Sequence, residues 1–215
     1  MTTTAATSAS HAAARRGRPR RNPAESEVRQ KLIRAGLIYL TEKGYSAVGV
    51  DEILKAASVP KGSFYHYFRN KADFGSQLID AYHAYFVGKL EQALLNDTLP
   101  ALDRLKAFTT DAERRMASYG FRRGCLVGNL GQEMGALPEE FRDQLVDVLK
   151  DWQQRTAVCL RLAQDQGDLG RHHDPDALAA FFWFGWEGAV LRAKLERRAE
   201  PLRSFADTFF KTLSL

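Results

Sequence analysis

Apolar residues recur along this chain at intervals of three and four from residue 25 almost to its end. That spacing gathers them on single faces of helices. The first run spans Glu25 to Lys43, with Val28, Leu32, Ala35, Ile38 or Tyr39 and Leu40 inward and Gly44 as a C-terminal stop. A short second helix covers Val50 to Ala57 and carries Val50, Ile53, Leu54 and Ala57 on one side. Ser58-Val59-Pro60 ends it, because Pro60 drives Val59 out of the α region. A third helix runs from Lys61 to Tyr67, and Asn70 caps a long fourth that reaches about Asn96. Further helices are expected at 100–119, 126–136, 138–166, 175–197 and 202–213. Pro100, Pro138, Pro175 and Pro201 stand at or near their first turns, where a missing N–H removes no bond. No stretch alternates with period two long enough for a sheet. The expected fold class is all-α, with about nine helices.

Residues 1–24 break the pattern. They are Thr, Ala and Ser, followed by five arginines without an acid between Arg15 and Arg21, and are expected to be a disordered basic arm. Beyond the arm, 45% hydrophobic residues suffice for a packed core. The longest apolar stretch, Ala177 to Trp186, ends at Glu187, well short of the roughly 20 residues of a membrane span. No apolar run follows the N-terminal basic residues, and two cysteines make no disulfide framework. A cytoplasmic protein is expected. The net charge is +5 and the pI about 9.3, but residues 1–78 carry +7 and the rest −2. Such asymmetry suits nucleic acid or an anionic membrane, and the arm has no apolar residues to insert into the latter.

Two short helices joined by a tight turn and flanked by a packing helix make a helix-turn-helix, here at about 49–68. Phe64 and Phe68, four apart, can face the core. Lys61, Ser63, Tyr65, His66 and Tyr67 then cover the remaining surface. Lys61 and Ser63 sit at the end of a recognition helix that meets base edges. The tyrosines, His66 and Lys71 suit phosphate contacts. An aromatic-rich packing turn is the alternative. The segment from Glu27 to about Phe86, and above all Val50 to Lys71, resembles the DNA-binding domain of the TetR family. The resemblance implies a homodimeric repressor on a palindromic operator of double-stranded DNA. It places Lys61, Gly62 and Ser63 at bases, and Tyr65, His66, Tyr67 and Lys71 at the backbone. Asp51 departs from members that carry a basic base-reading residue there, and can cap its helix or accept from cytosine. Arg18 and Arg20, within Arg16-Gly17-Arg18-Pro19-Arg20, resemble an AT-hook core for the minor groove; a solvated basic tail is the other reading.

The resemblance divides the chain into an arm (1–24), a helix-turn-helix domain (25–86) and an effector-binding and dimerisation domain (87–215). Gly128, Gly131 and Gly135 are read on one face of the 126–136 helix, where each weakens it by about 1 kcal/mol. That suits either an element that shifts or close helix packing. The helix at 175–197 is apolar nearly all round and must be buried on most sides. Family likeness gives one face of it to the dimer and the other to a pocket, with Phe205, Phe209 and Phe210 completing the interface. Trp152, Trp183 and Trp186 can wall the pocket or fill the core. Residues 15–212 further resemble TetR repressors that respond to small electrophiles, among them the acrylate-responsive repressors of dimethylsulfoniopropionate catabolism. This implies a small acrylate-like effector, sensed at Cys125 of the Gly-Cys-Leu motif and at Lys194, with Asn129 nearby. Lys194, Arg122 or Arg123 could lower the Cys125 thiol pKa, or Cys125 could be an inert buried hydrophobe. No nucleophile elbow, Walker loop or dinucleotide fingerprint is present, and His172-His173-Asp174 lacks the spacing of a zinc pair. No catalytic residue, metal or cofactor is therefore expected. A helical small-molecule enzyme with a basic tail is the rival reading.

Overall fold

The computed structural model describes residues 27–213, and the basic arm with Arg18 and Arg20 lies outside them. Among the described residues there are nine α-helices and no strand. They are α1 (Glu27–Lys43), α2 (Val50–Ala57), α3 (Lys61–Tyr67), α4 (Lys71–Leu94), α5 (Ala101–Ser118), α6 (Leu126–Gln132), α7 (Glu140–Gln166), α8 (Pro175–Glu196) and α9 (Glu200–Thr212). The expected helix stops are physical. Gly44 takes a left-handed φ of 89° and its N–H returns to the Leu40 carbonyl. Ser58 closes α2 in the left-handed region, Pro60 starts α3, and Asn70 Oδ1 accepts from the Asp73 N–H to open α4.

One expectation fails at the glycine-rich segment. α6 stops at Gln132, and Gly135 lies in a separate 3₁₀ turn, Met134–Ala136, rather than on a face shared with Gly128. The cause is Glu133, whose carboxylate accepts the Tyr45 and Ser46 backbone N–H groups at 3.0 and 2.7 Å. Its side chain ties the helix end to the loop after α1.

α4 is the central strut and packs on α1, α5, α6 and α7, while α7, α8 and α9 pack in sequence beyond it. Behind α4 an aromatic core joins Phe86, Phe108, Trp152, Phe182 and Trp183. Helices α1 and α4, which flank the α2–α3 pair, meet at Gly36. A Cβ there would fall 2.6–2.9 Å from Phe74 Cζ and the Leu78 methyls, both buried. Gly36→Ala is expected to overpack this seam and lower unfolding free energy by about 1–3 kcal/mol, read from urea denaturation.

Candidate functional site

α3 is fixed from beneath and open from above. Phe64 is fully buried and meets Phe68 and Phe74 at ring separations of 5.1 and 5.2 Å. Helical geometry then turns Lys61, Gly62, Tyr65 and His66 outward, all exposed, with Ser63 and Tyr67 half-buried. His66 and Tyr67 stack edge to face at 4.9 Å. Asp51 on α2 does not cap its helix, since Gly49 holds that position; its carboxylate pairs with Lys61 Nζ at 3.0 Å. Lys71, half-buried, donates to the Tyr45 carbonyl at 2.9 Å and lies over that ring. Burial holds its pKa below the usual lysine range.

A cavity of about 410 Å³ opens between α1, α4, α5 and α8. Its walls are apolar and aromatic, including Phe86, Met116 and Trp186. Four cations also line it: Arg34, Lys89, Arg115 and Arg123. Arg115 pairs with Asp111, whereas Arg34 and Arg123 have no carboxylate partner among the described residues, Arg123 resting on the Tyr119 ring. Unneutralised guanidinium groups around an apolar hollow favour an organic anion.

Cys125, Tyr82 and Glu187 also line the cavity, the first two buried. The Cys125 thiol faces the Tyr82 hydroxyl, the Gly128 amide and the Glu187 carboxyl. Gly128 makes this possible, because a Cβ there would fall on Glu187 Oε2. Burial pushes Glu187 up to about 7, and burial with Glu187 close by pushes the Cys125 thiol well above its ordinary value. The expectation that a cation lowers the thiol pKa is thus overturned. Arg122 pairs with Glu42 and Arg123 stacks on Tyr119. Lys194 Nζ donates to the Thr41 carbonyl at 3.0 Å and to Asn129 Oδ1 at 3.3 Å.

Asn129 and Lys194 stand just outside the main cavity, on a narrow crevice behind Cys125 and Glu187. There they clamp α1. Asn129 Nδ2 donates to the Leu40 and Thr41 carbonyls, both at 3.0 Å, and the Gly124 N–H reaches Thr41 at 3.1 Å. Of the three tryptophans only Trp186 lines the cavity. Trp152 and Trp183 are buried behind it, with Trp183 Nε1 donating to Thr156 Oγ1. Within the protomer Phe209 is buried against Phe182, and half-buried Phe205 lies over Gly185. Exposed apolar residues of α7 and α8 include Val146, Val158 and Leu162 on the first and Phe181, Phe184 and Leu195 on the second.

Sequence reasoning missed Tyr82, Glu187 and Arg34 as site residues. Glu187 had a visible signal, being the acid that interrupts an otherwise apolar helix; Tyr82 and Arg34 had none. Among the described residues no group of three or more His, Cys, Asp or Glu could hold a metal ion, and no helix is long and apolar enough to cross a membrane.

Comparison with known proteins fits this architecture. Residues 32–75 match the model for bacterial regulatory proteins of the tetR family, and residues 101–209 match the tetracyclin repressor-like C-terminal domain. The chain belongs to the TetR family of transcriptional regulators. It is 67% identical to the transcriptional regulator AcuR of Cereibacter sphaeroides, over 91% of this chain and 89% of that protein. The HTH-type transcriptional repressor DhaR of Mycobacterium sp. (strain GP1) is 33% identical over 88% of this chain and 94% of its own. The crystal structure of regulatory protein TetR from Rhodobacter sphaeroides superposes with a TM-score of 0.85 at 66% identity, covering 86% of this chain and 98% of that one.

Glu187 makes stability depend on pH. Its folded pKa is raised above the ordinary carboxylate value of 4.5 to about 7, so its stabilisation is fully present below 4.5 and is lost as pH rises through 7. The wild type is expected to lose on the order of 2 kcal/mol over that window, cavity water screening part of the shift. Glu187→Gln should flatten the curve, as read from urea melts at pH 5 and pH 8.

Proposed function

We propose that this protein is a ligand-responsive transcriptional repressor that binds a palindromic operator as a homodimer. A small carboxylate or electrophile, acrylate or a related metabolite of dimethylsulfoniopropionate breakdown, releases it. The observation that carries this reading is a cavity combining guanidinium groups with no carboxylate partner among the described residues, a thiol in its lining and a shared wall with the clamp on α1. On this reading the chain is a binding protein rather than an enzyme. Lys61, Gly62 and Ser63 meet bases, Tyr65, His66, Tyr67 and Lys71 meet phosphates, and Arg18 and Arg20 enter the adjoining minor groove. The outward apolar residues of α7 and α8 join two copies, which sets the recognition helices about one DNA turn apart.

Release follows from the linkage between cavity and DNA-binding helices. An occupant that displaces residues 124–129 pulls on the Leu40 and Thr41 carbonyls and reorients α1. Because α1 packs on α4 at Gly36, the whole reading head moves with it. The occupant must bind the released conformation more tightly than the DNA-bound one, or nothing shifts.

The decisive experiment is fluorescence anisotropy of duplex from upstream of the gene, titrated with protein at physiological salt and then with acrylate. Random duplex and acetate serve as controls. Specific binding reversed by acrylate and not acetate is expected. Binding that acrylate leaves intact removes this effector, and no DNA binding at all removes the repressor reading. Within the same assay Lys71→Ala should weaken every sequence alike and reduce the salt slope by about 1. Lys61→Ala should instead change preference at one base position by about 1–3 kcal/mol. Equal losses on all sequences for both variants would overturn the assigned roles.

A further inference from the structure

Cys125 stands in a setting unlike that of an activated cysteine. A reactive thiol ordinarily has a cation beside it that holds it as thiolate. Here every nearby cation is engaged elsewhere or set apart. Lys194 is tied to the Thr41 carbonyl and the Asn129 amide, Arg122 to Glu42, Arg115 to Asp111, and Arg123 to the Tyr119 ring. Arg34 and Lys89 line the same cavity from α1 and α4. The groups that face the thiol itself are the Tyr82 hydroxyl, the Gly128 amide and the Glu187 carboxyl. The last lies against the α6 backbone where any side chain at position 128 would displace it. Cys125 and Glu187 share both the cavity wall and the crevice behind it.

We propose that Glu187 is the proton acceptor through which Cys125 adds to an α,β-unsaturated carboxylic acid held in the cavity. This deepens the effector reading above and rests on it. The acid enters as its anion, with its carboxylate toward Arg34 and Arg123 and its double bond toward the thiol. As sulfur bonds to the β-carbon, the thiol proton passes to the Glu187 carboxylate and the π pair moves onto the α-carbon. Glu187 then returns the proton to that carbon. The product is a thioether carrying a saturated acid, with no net proton, electron or leaving group exchanged. No standing thiolate is needed, which suits a thiol whose burial opposes ionisation. A Glu187 poised at about 7 is available in both of its forms near neutrality. Cys159 offers no such arrangement: its thiol points to the Ala101 carbonyl and it lies outside the cavity.

The test is intact-mass and peptide mass spectrometry of the full chain incubated with acrylate across pH 5 to 10. Propionate serves as the saturated control, and operator release is read in parallel by anisotropy. The expected result is one acrylate mass added at Cys125, absent from Cys125→Ser, at a rate that rises to a plateau through pH about 7. Glu187→Gln should slow addition by at least about 100-fold at pH 7. It should also move the rise above the free-thiol range of about pH 8.5, because burial still opposes ionisation of this thiol. Circular dichroism and ligand-free operator binding check that this variant is folded. Should it not fold, the wild-type profile decides: a rate that rises only above about pH 8.5 overturns the proposal. So does an unchanged rate and profile in Glu187→Gln, or addition at Cys159. Operator release by acrylate without any adduct also overturns it and leaves the repressor reading standing. Loss of release altogether removes that reading.

Discussion

A helix leaves its last carbonyls without donors of its own, and near the C-terminus of α1 the Leu40 oxygen keeps the Gly44 N–H while the donors to Thr41 come from the other half of the molecule. The Leu40 and Thr41 oxygens accept from Asn129 Nδ2, and Thr41 also from the Gly124 N–H and Lys194 Nζ. Leaving one such buried acceptor unmet costs about 1–3 kcal/mol, so α6 and α8 are not free to drift from α1. A short way along the chain Glu133 accepts the Tyr45 and Ser46 N–H groups. The two attachments hold the last turn of α1 and the start of the loop that leads to α2. Cys125 lies within one helical turn of Gly124 and Asn129, and Glu187 two turns before Lys194, all three of which are bonded to α1.

The local structure of the N-terminal domain was legible because each boundary there is written in one or two residues. Gly44, Pro60 and Asn70 each impose a backbone conformation or a cap that no distant contact overrides. The end of α6 was not legible. The glycines weaken this helix without fixing where it ends; at Gln132 the stop coincides with the engagement of Glu133 with amides 87 and 88 residues away. The same limit applies to Lys194 and Cys125. Both were singled out, but a sequence cannot say that the ammonium points to a carbonyl of α1 while a carboxyl takes the place beside the thiol. Nor does hydropathy separate a cavity wall from a core, which is why Trp186 lines the hollow and Trp152 and Trp183, equally aromatic, do not.

Charge on the DNA-facing surface is less simple than its net value. Lys61 is the exposed cation at the start of α3, yet Asp51 neutralises much of it locally. An exposed pair of this kind contributes under about 1 kcal/mol and is readily exchanged for other partners. Near a phosphate or a guanine edge Lys61 gains a better acceptor, and Asp51 is left to face a donor such as a cytosine amino group or to meet an unfavourable potential. On the proposed reading, the pair selects among sequences by what it rejects as well as by what it binds.

α8 sets the geometry of sensing because its two sides serve different surfaces. Trp183, Trp186, Glu187, Val190 and Lys194 recur at three- and four-residue intervals on the inner side, spanning the core, the cavity and the clamp. Phe181, Phe184 and Leu195 occupy the opposite side, with Phe184 71% and Leu195 69% exposed. A close-packed helix moves as a body rather than deforming between its faces. If two copies meet on the outer side as proposed, a change at Glu187 cannot be confined to one protomer's cavity. It alters the seat of Lys194 on α1 and the face presented to the partner in the same displacement. A shift too small to unfold anything is then sufficient, because two recognition helices must fit one DNA spacing at once and only their relative position has to change.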